Sequence, residues 1–136
     1  MRHATIGGML LAIVCAGCFA LPSRHRCQSG EQPATMDSLY FGTALAQGRV
    51  TPQDWERFVA DVVTPRFPEG LTSWAAAGQW RNAAGTIQKE SSYVLHIVHS
   101  ESRDENGRIR EVIDLYKVRF HQEAVLRVRS AACISF

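Results

Sequence analysis

The sequence predicts an α+β domain of the ferredoxin-like, split βαβ kind, with elements in the order β-α-β-β-α-β and two helices covering one face of an antiparallel sheet. Two observations carry this expectation. Apolar residues recur at helical spacing in two places, at Trp55, Phe58, Val59, Val62 and Val63 and again at Ile109, Val112, Ile113, Tyr116 and Phe120. The segments around them alternate with a two-residue period and are separated by Gly, Pro and Asn turn signals. With 136 residues, 46% of them hydrophobic, the chain suits one compact domain.

The N-terminal segment has the layout of an export signal. Met1-Arg2-His3 precedes an apolar stretch from Ile6 to Val14, followed by the small residues Cys15-Ala16-Gly17-Cys18. Residues 1–18 are therefore read as signal peptide and lipobox, 19–35 as a tether and 36–136 as the domain. Two processing sites compete, Ala16-Gly17-Cys18 fitting lipidation at Cys18 and Cys18-Phe19-Ala20 fitting ordinary signal cleavage, with an uncleaved anchor as the remaining alternative. Acylation of Cys18 would anchor the domain to a membrane through lipid, each buried methylene contributing about 0.8 kcal/mol. After this segment no apolar run reaches the roughly 18 residues of a spanning helix.

The first strand is expected from Ser38 to Leu45, where Leu39, Phe41, Thr43 and Leu45 alternate with Tyr40, Gly42 and Ala44. Gln47-Gly48-Arg49 then turns the chain. The first helix starts at Thr51, a good N-cap, with Pro52 at the first helical position and Asp54 placed to complete a capping box. It ends before Thr64-Pro65, since proline lacks the amide donor. A second strand runs from Leu71 to Arg81 and a third from Tyr93 to His99, joined around Asn82-Ala83-Ala84-Gly85, with 86–92 extending the hairpin. Arg103 to Gly107 reads as a polar loop before the second helical stripe, and Val125 to Phe136 as the last strand. Leu126 and Val128 point one way there, Arg127 and Arg129 the other. The uncovered sheet face is expected to carry the two arginines and is the natural place for a homodimer.

The residues now resemble a family. Leu39-Tyr40-Phe41-Gly42, Thr64-Pro65-Arg66-Phe67-Pro68-Glu69-Gly70-Leu71-Thr72, Gly78-Gln79-Trp80-Arg81 and the run from Tyr116 to Val128 are together similar to the bacterial domain of unknown function three-five-seven-four. The resemblance covers about Cys27 to Phe136. It implies a small exported protein, often a lipoprotein, of the bacterial periplasm or envelope, and it implies no activity.

Cys15 leaves with the signal and Cys18 is lipidated or removed, which leaves Cys27 and Cys133. An even pair in an oxidising compartment suggests one disulfide. The alternative is two free thiols. A zinc site lacks ligands, because beside His25 and Cys27 no second Cys or His stands at ligand spacing. No metal or cofactor is expected.

Candidate ligand-binding residues come from the polar positions of the family-like segments: Arg66, Gln79, Arg81, Arg119, Gln122 and Glu123. If several converge, planar guanidinium contacts would suit a carboxylate or phosphate. The alternative is that Arg66 and Glu123 fix loops through caps and ion pairs. Tyr40 and Tyr93 add a possible polar rim, with sheet packing as the other reading. His96 and His99 differ by three positions, so in a regular strand they face opposite ways and share no metal. Gly-x-Ser-x-Gly, phosphate-loop and His-Glu-x-x-His signatures are missing. A net charge of +2 and the lack of a basic-aromatic strand motif argue against nucleic acid. The leading expectation is a non-enzymatic binding or self-association module. Its alternative is a small enzyme using His96 or His99 with Glu90 as acid and base.

Overall fold

The computed structural model describes residues 27–81 and 84–136. The export signal, Cys18, the first part of the expected tether and the Asn82-Ala83 pair of the hairpin lie outside the described residues. The elements are β1 (Gln32–Gly42), α1 (Pro52–Phe58, continued by a π-helical segment Val59–Val63), β2 (Thr72–Arg81), β3 (Ile87–His99), α2 (Arg103–Phe120) and β4 (Leu126–Ile134). They form a four-stranded sheet in the order β2-β3-β1-β4, in which every neighbouring pair is antiparallel. β1 and β2 both oppose β3 and so run the same way, linked by α1. β3 and β4 both oppose β1 and are linked by α2.

Strand β1 begins at Gln32, inside the stretch expected as tether, and stops at Gly42 rather than Leu45. Pro33 looks incompatible with a central strand, but β3 joins β1 only from Thr35 onward. At Pro33 the sole neighbour is β4, so the missing amide hydrogen need not break a ladder. Past Gly42 the chain makes a small bridge of its own, Ala44 with Arg49, turned at Gly48 with φ of 92°. Thr43 stays tied to β3 through a 2.8 Å bond from its hydroxyl to the Ser91 carbonyl.

The expected capping box of α1 is present: the Asp54 amide donates to Thr51 Oγ1 at 3.1 Å, and the Thr51 amide donates to Asp54 Oδ2 at 3.1 Å. Hydrogen bonds from the Thr51 hydroxyl and amide hold the Asp54 carboxyl below its ordinary pKa. Beyond Phe58 the helix widens, with the Thr64 amide donating to Val59 O at 2.8 Å, five residues back. The wider turn puts Val63 beneath Phe58, so Trp55, Phe58 and Val63 are buried while Val59 and Val62 are only partly covered.

Helix α2 starts at Arg103, so the expected polar loop 103–107 is its first turn. Ser102 caps it, its hydroxyl accepting from the Glu105 amide at 3.1 Å, with Asp104 and Glu105 set against the positive end of the helix. The Ser-x-x-Glu spacing carried this signal. Gly107, at about 1 kcal/mol of helix propensity below alanine, masked it.

Both helices lie on one face of the sheet, against Leu39, Phe41, Leu95 and Ile97. Between them sits an aromatic cluster in which Tyr116 meets Phe41 at 4.6 Å and Phe58 at 5.1 Å between ring centroids. The Tyr116 hydroxyl donates to Gly42 O at 2.8 Å, which satisfies the polar end of a fully buried ring. Burial, with smaller contributions from Tyr93 and Glu90, pushes its pKa far above the usual phenol value.

Cys27 and Cys133 are joined by a disulfide across 106 residues of chain, with Cα atoms 5.6 Å apart. A loop of that length stabilises the fold by on the order of 4 kcal/mol in the chain-entropy account. The bond fastens the start of the described chain to the end of β4.

The two faces of β4 carry the expected residues in reversed places. Directly opposed residues share a face, and Arg127 opposes Leu39, Arg129 opposes Asp37. The arginines therefore stand on the helix side. Leu126 and Val128, opposing Tyr40 and Ser38, occupy the open face instead.

Candidate functional site

Two polar arrangements stand out, one on each side of the sheet. On the helix side, Asp37 is fully buried in the middle of β1. Arg127 grips it side-on, Nε to Oδ1 at 2.7 Å and a terminal nitrogen to Oδ2 at 2.8 Å. His99 Nε2 lies 2.8 Å from Asp37 Oδ2, and its Nδ1 lies 2.7 Å from Ser100 O. Arg127 reaches further to Asn106 on α2 at 2.8 Å. The sheet register makes this cluster: Arg127 on β4 and His99 on β3 are each two residues from the position directly opposite Asp37. Burial alone would raise the Asp37 pKa, but hydrogen bonds from Arg127 and His99 and their charges outweigh it and hold the carboxyl below its ordinary value. Sequence reading missed Asp37, because an acid inside an alternating strand carries no mark of its partners.

On the open side, a cleft of about 350 Å³ lies at one end of the sheet, lined among others by Tyr40, Trp80, Glu90, Gln122 and Leu126. Two glycines border it, and one of them makes room for Glu90. Gly78 opposes Glu90 across the β2-β3 pair, and a side chain at Gly42 would collide with the Glu90 carboxylate. With no side chain at Gly42, the carboxylate lies against the backbone of β1. Gln122 donates to Ala44 O at 2.6 Å, which fixes its amide, and its Oε1 would lie 3.4 Å from a Cβ built at Gly42.

Of the six candidate binding residues, Gln79 and Gln122 come together at this cleft. The other four do not join them, and the guanidinium groups of Arg66, Arg81 and Arg119 do not converge. Arg66 is spent on Glu111 at 3.1 Å and Val62 O at 2.8 Å, tying the end of α1 to α2. Arg81 reaches Gly85 O at 3.4 Å across the hairpin. Arg119 pairs with Asp61 at 3.6 Å and lies over the Phe120 ring. Glu123 is exposed after α2. Tyr40 does reach the cleft, whereas Tyr93 stacks on Trp55 at 4.7 Å in the core.

The acid-base pair of the alternative, enzymatic reading does not form. His99 is engaged on the helix side. His96 shares the open face with Glu90, but six residues of strand, at about 3.3 Å each, hold them roughly 20 Å apart. His96 instead meets Trp74 edge to face at 4.7 Å.

The family model for a protein of unknown function, DUF3574, matches residues 36–136. The chain belongs to this family. No curated protein matches it. Among solved structures it is similar to a phage SAM lyase in complex with S-methyl-5'-thioadenosine, with a TM-score of 0.55 and 17% identity over 82% of this chain and 94% of that one. The same kind of enzyme in its apo state gives a TM-score of 0.54 and 16% identity, over 84% of this chain and 97% of that one. At that identity the likeness shows a shared fold.

Proposed function

We propose that this member of the DUF3574 family is an exported, ferredoxin-like binding module of the bacterial envelope that associates with a second copy of itself through its open sheet face. The observation that carries the reading is the composition of that face. Tyr40 (37% exposed), Trp74 (43%), Val98 (42%), Leu126 (61%) and Val128 (47%) stand on it together. Around them Met36, Ser38, Thr72, Val94, His96 and Ser130 complete three rows across the strands, with no Lys, Arg, Asp or Glu among them. An apolar face exposed on this scale marks an interaction surface. A two-fold interface sets each patch against its own copy, so a patch without net charge is what self-pairing requires. The Cys27–Cys133 disulfide is compatible with an oxidising, exported location, and the Ala16-Gly17-Cys18 pattern supports lipid anchoring at Cys18. Crossovers β1-α1-β2 and β3-α2-β4 about the order β2-β3-β1-β4 support the ferredoxin-like reading.

Sedimentation of the purified protein tests the association. The wild type is expected to sediment as a dimer at micromolar concentration and Val128→Glu, at an exposed site, as a folded monomer. A monomeric wild type ends the proposal.

The cleft supports a second reading, an enzyme in which Glu90 rather than a histidine is the acid or base. The phage lyase of similar fold holds S-methyl-5'-thioadenosine, and the Tyr40 and Trp80 rings here offer faces for a flat heterocycle. On this reading the protein incubated with S-adenosylmethionine releases S-methyl-5'-thioadenosine, and Glu90→Gln releases at least about tenfold less. No release above the buffer control removes the reading.

A further inference from the structure

The cleft beside Glu90 is unusual in its balance of charge. Glu90 is half-buried, yet no hydrogen bond or ion pair to its carboxylate is found among the described residues. The arginines that form ion pairs, at 57, 66, 108, 119 and 127, have Asp54, Glu111, Glu105, Asp61 and Asp37 as partners. Lys89 is next to Glu90 in the strand and so projects from the opposite face of the sheet. Glu90 therefore faces the cleft as a negative charge without a counter-charge, and a cation that enters the cleft gains its attraction.

The remaining walls say what sort of cation. Gln122 has its amide nitrogen held by Ala44 O, and its Oε1 lies near the same Gly42 cradle as the Glu90 carboxylate, so the cleft presents a second acceptor oxygen and no donor of positive charge. Tyr40 and the 54%-exposed Trp80 add two aromatic rings, and Leu126 and Ala124 an apolar edge. Aromatic faces attract weakly hydrated cations with carbon substituents, whereas a bare metal ion needs several oxygens at short range.

We propose that this cleft is a binding site for an organic cation, a ligand whose positive centre carries alkyl or aryl groups, with Glu90 as its counter-ion. The inference rests on the open face being the functional surface; Tyr40 and Leu126 belong to both the cleft and the apolar patch, whereas Glu90, Gln122 and Trp80 line the cleft and are no part of the patch proposed for self-association. A volume of about 350 Å³ accommodates a small molecule.

Phenyltrimethylammonium is a suitable probe, with tert-butylbenzene as its uncharged counterpart of the same shape. Calorimetric or NMR titration of the full chain is expected to show saturable binding of the cation and at least tenfold weaker binding of the neutral compound. Glu90→Gln keeps the shape and removes the charge, and Trp80→Ala removes one ring. Each is expected to weaken the cation at least tenfold while circular dichroism stays unchanged. Gly42→Ala retains the carboxylate but displaces it, and is expected to weaken binding as well. Val128→Glu, the variant expected to be monomeric, keeps every cleft residue and is expected to bind the cation at least as tightly as the wild type, which separates failure of the cleft from failure of self-association. Equal binding of the two probes, undiminished binding in Glu90→Gln, or no saturation by the cation at millimolar concentration each overturns the proposal.

Discussion

Replacing Asp37 by alanine is expected to destabilise the protein by about 3–5 kcal/mol, the cost of leaving a buried charge without its partner. Both the Arg127 guanidinium and the His99 ring would lose their acceptor, and neither can turn to water easily, with side chains 20% and 4% exposed. The magnitude reflects the orphaned cation more than the strength of the ion pair. The double variant Asp37→Leu, Arg127→Met, which removes both charges and fills the space with apolar groups, is therefore expected to recover most of the loss. Denaturant titration of the three proteins checks this, and a single variant within about 0.5 kcal/mol of wild type would show that the cluster is solvated. The same residue sets a pH dependence. Because its pKa is lower folded than unfolded, the stabilisation linked to it is complete above the ordinary carboxylate value of about 3.9 and is lost as the pH falls through the folded value. Acid unfolding monitored by tryptophan fluorescence is expected to be shallower in the Leu-Met double variant than in the wild type.

Phe58→Ala is expected to cost about 3–5 kcal/mol, since the ring is wholly buried and its removal leaves a cavity. Four other rings border that space: Phe41 at 6.1 Å, Trp55 at 5.9 Å, Tyr116 at 5.1 Å and Phe120 at 5.9 Å. They come from β1, α1 and α2, so the loss is felt in every layer of the core. Arg57→Ala, one residue earlier on the exposed side, gives up an ion pair to Asp54 at 2.7 Å and is expected to cost less than about 0.5 kcal/mol. Equal denaturation midpoints for the two variants would mean that the face of α1 bearing Phe58 does not pack on the sheet.

The sequence alone determined what depends on neighbours along the chain. The Thr51 cap, Pro52 and the spacing Trp55, Phe58 located α1 because caps and helical periodicity are local interactions. The alternation through Leu39 and Phe41 marked which side of β1 is apolar, and the spacing of Ile109, Val112, Tyr116 and Phe120 marked the buried side of α2. The start of α2 was equally local, written in Ser102 and Glu105, and was obscured by Gly107. Tertiary structure decided the rest. Alternation in β4 separates Leu126 and Val128 from Arg127 and Arg129, but it is symmetrical and cannot say which pair meets the helices. Asp37 broke that symmetry: a buried carboxylate on β1 draws Arg127 inward, so the apolar pair is left outside. Glu90, Gly42 and Gln122 likewise lie on three separate elements, and only the pairing of β3 with β1 and the return of the chain after α2 set them around one cleft.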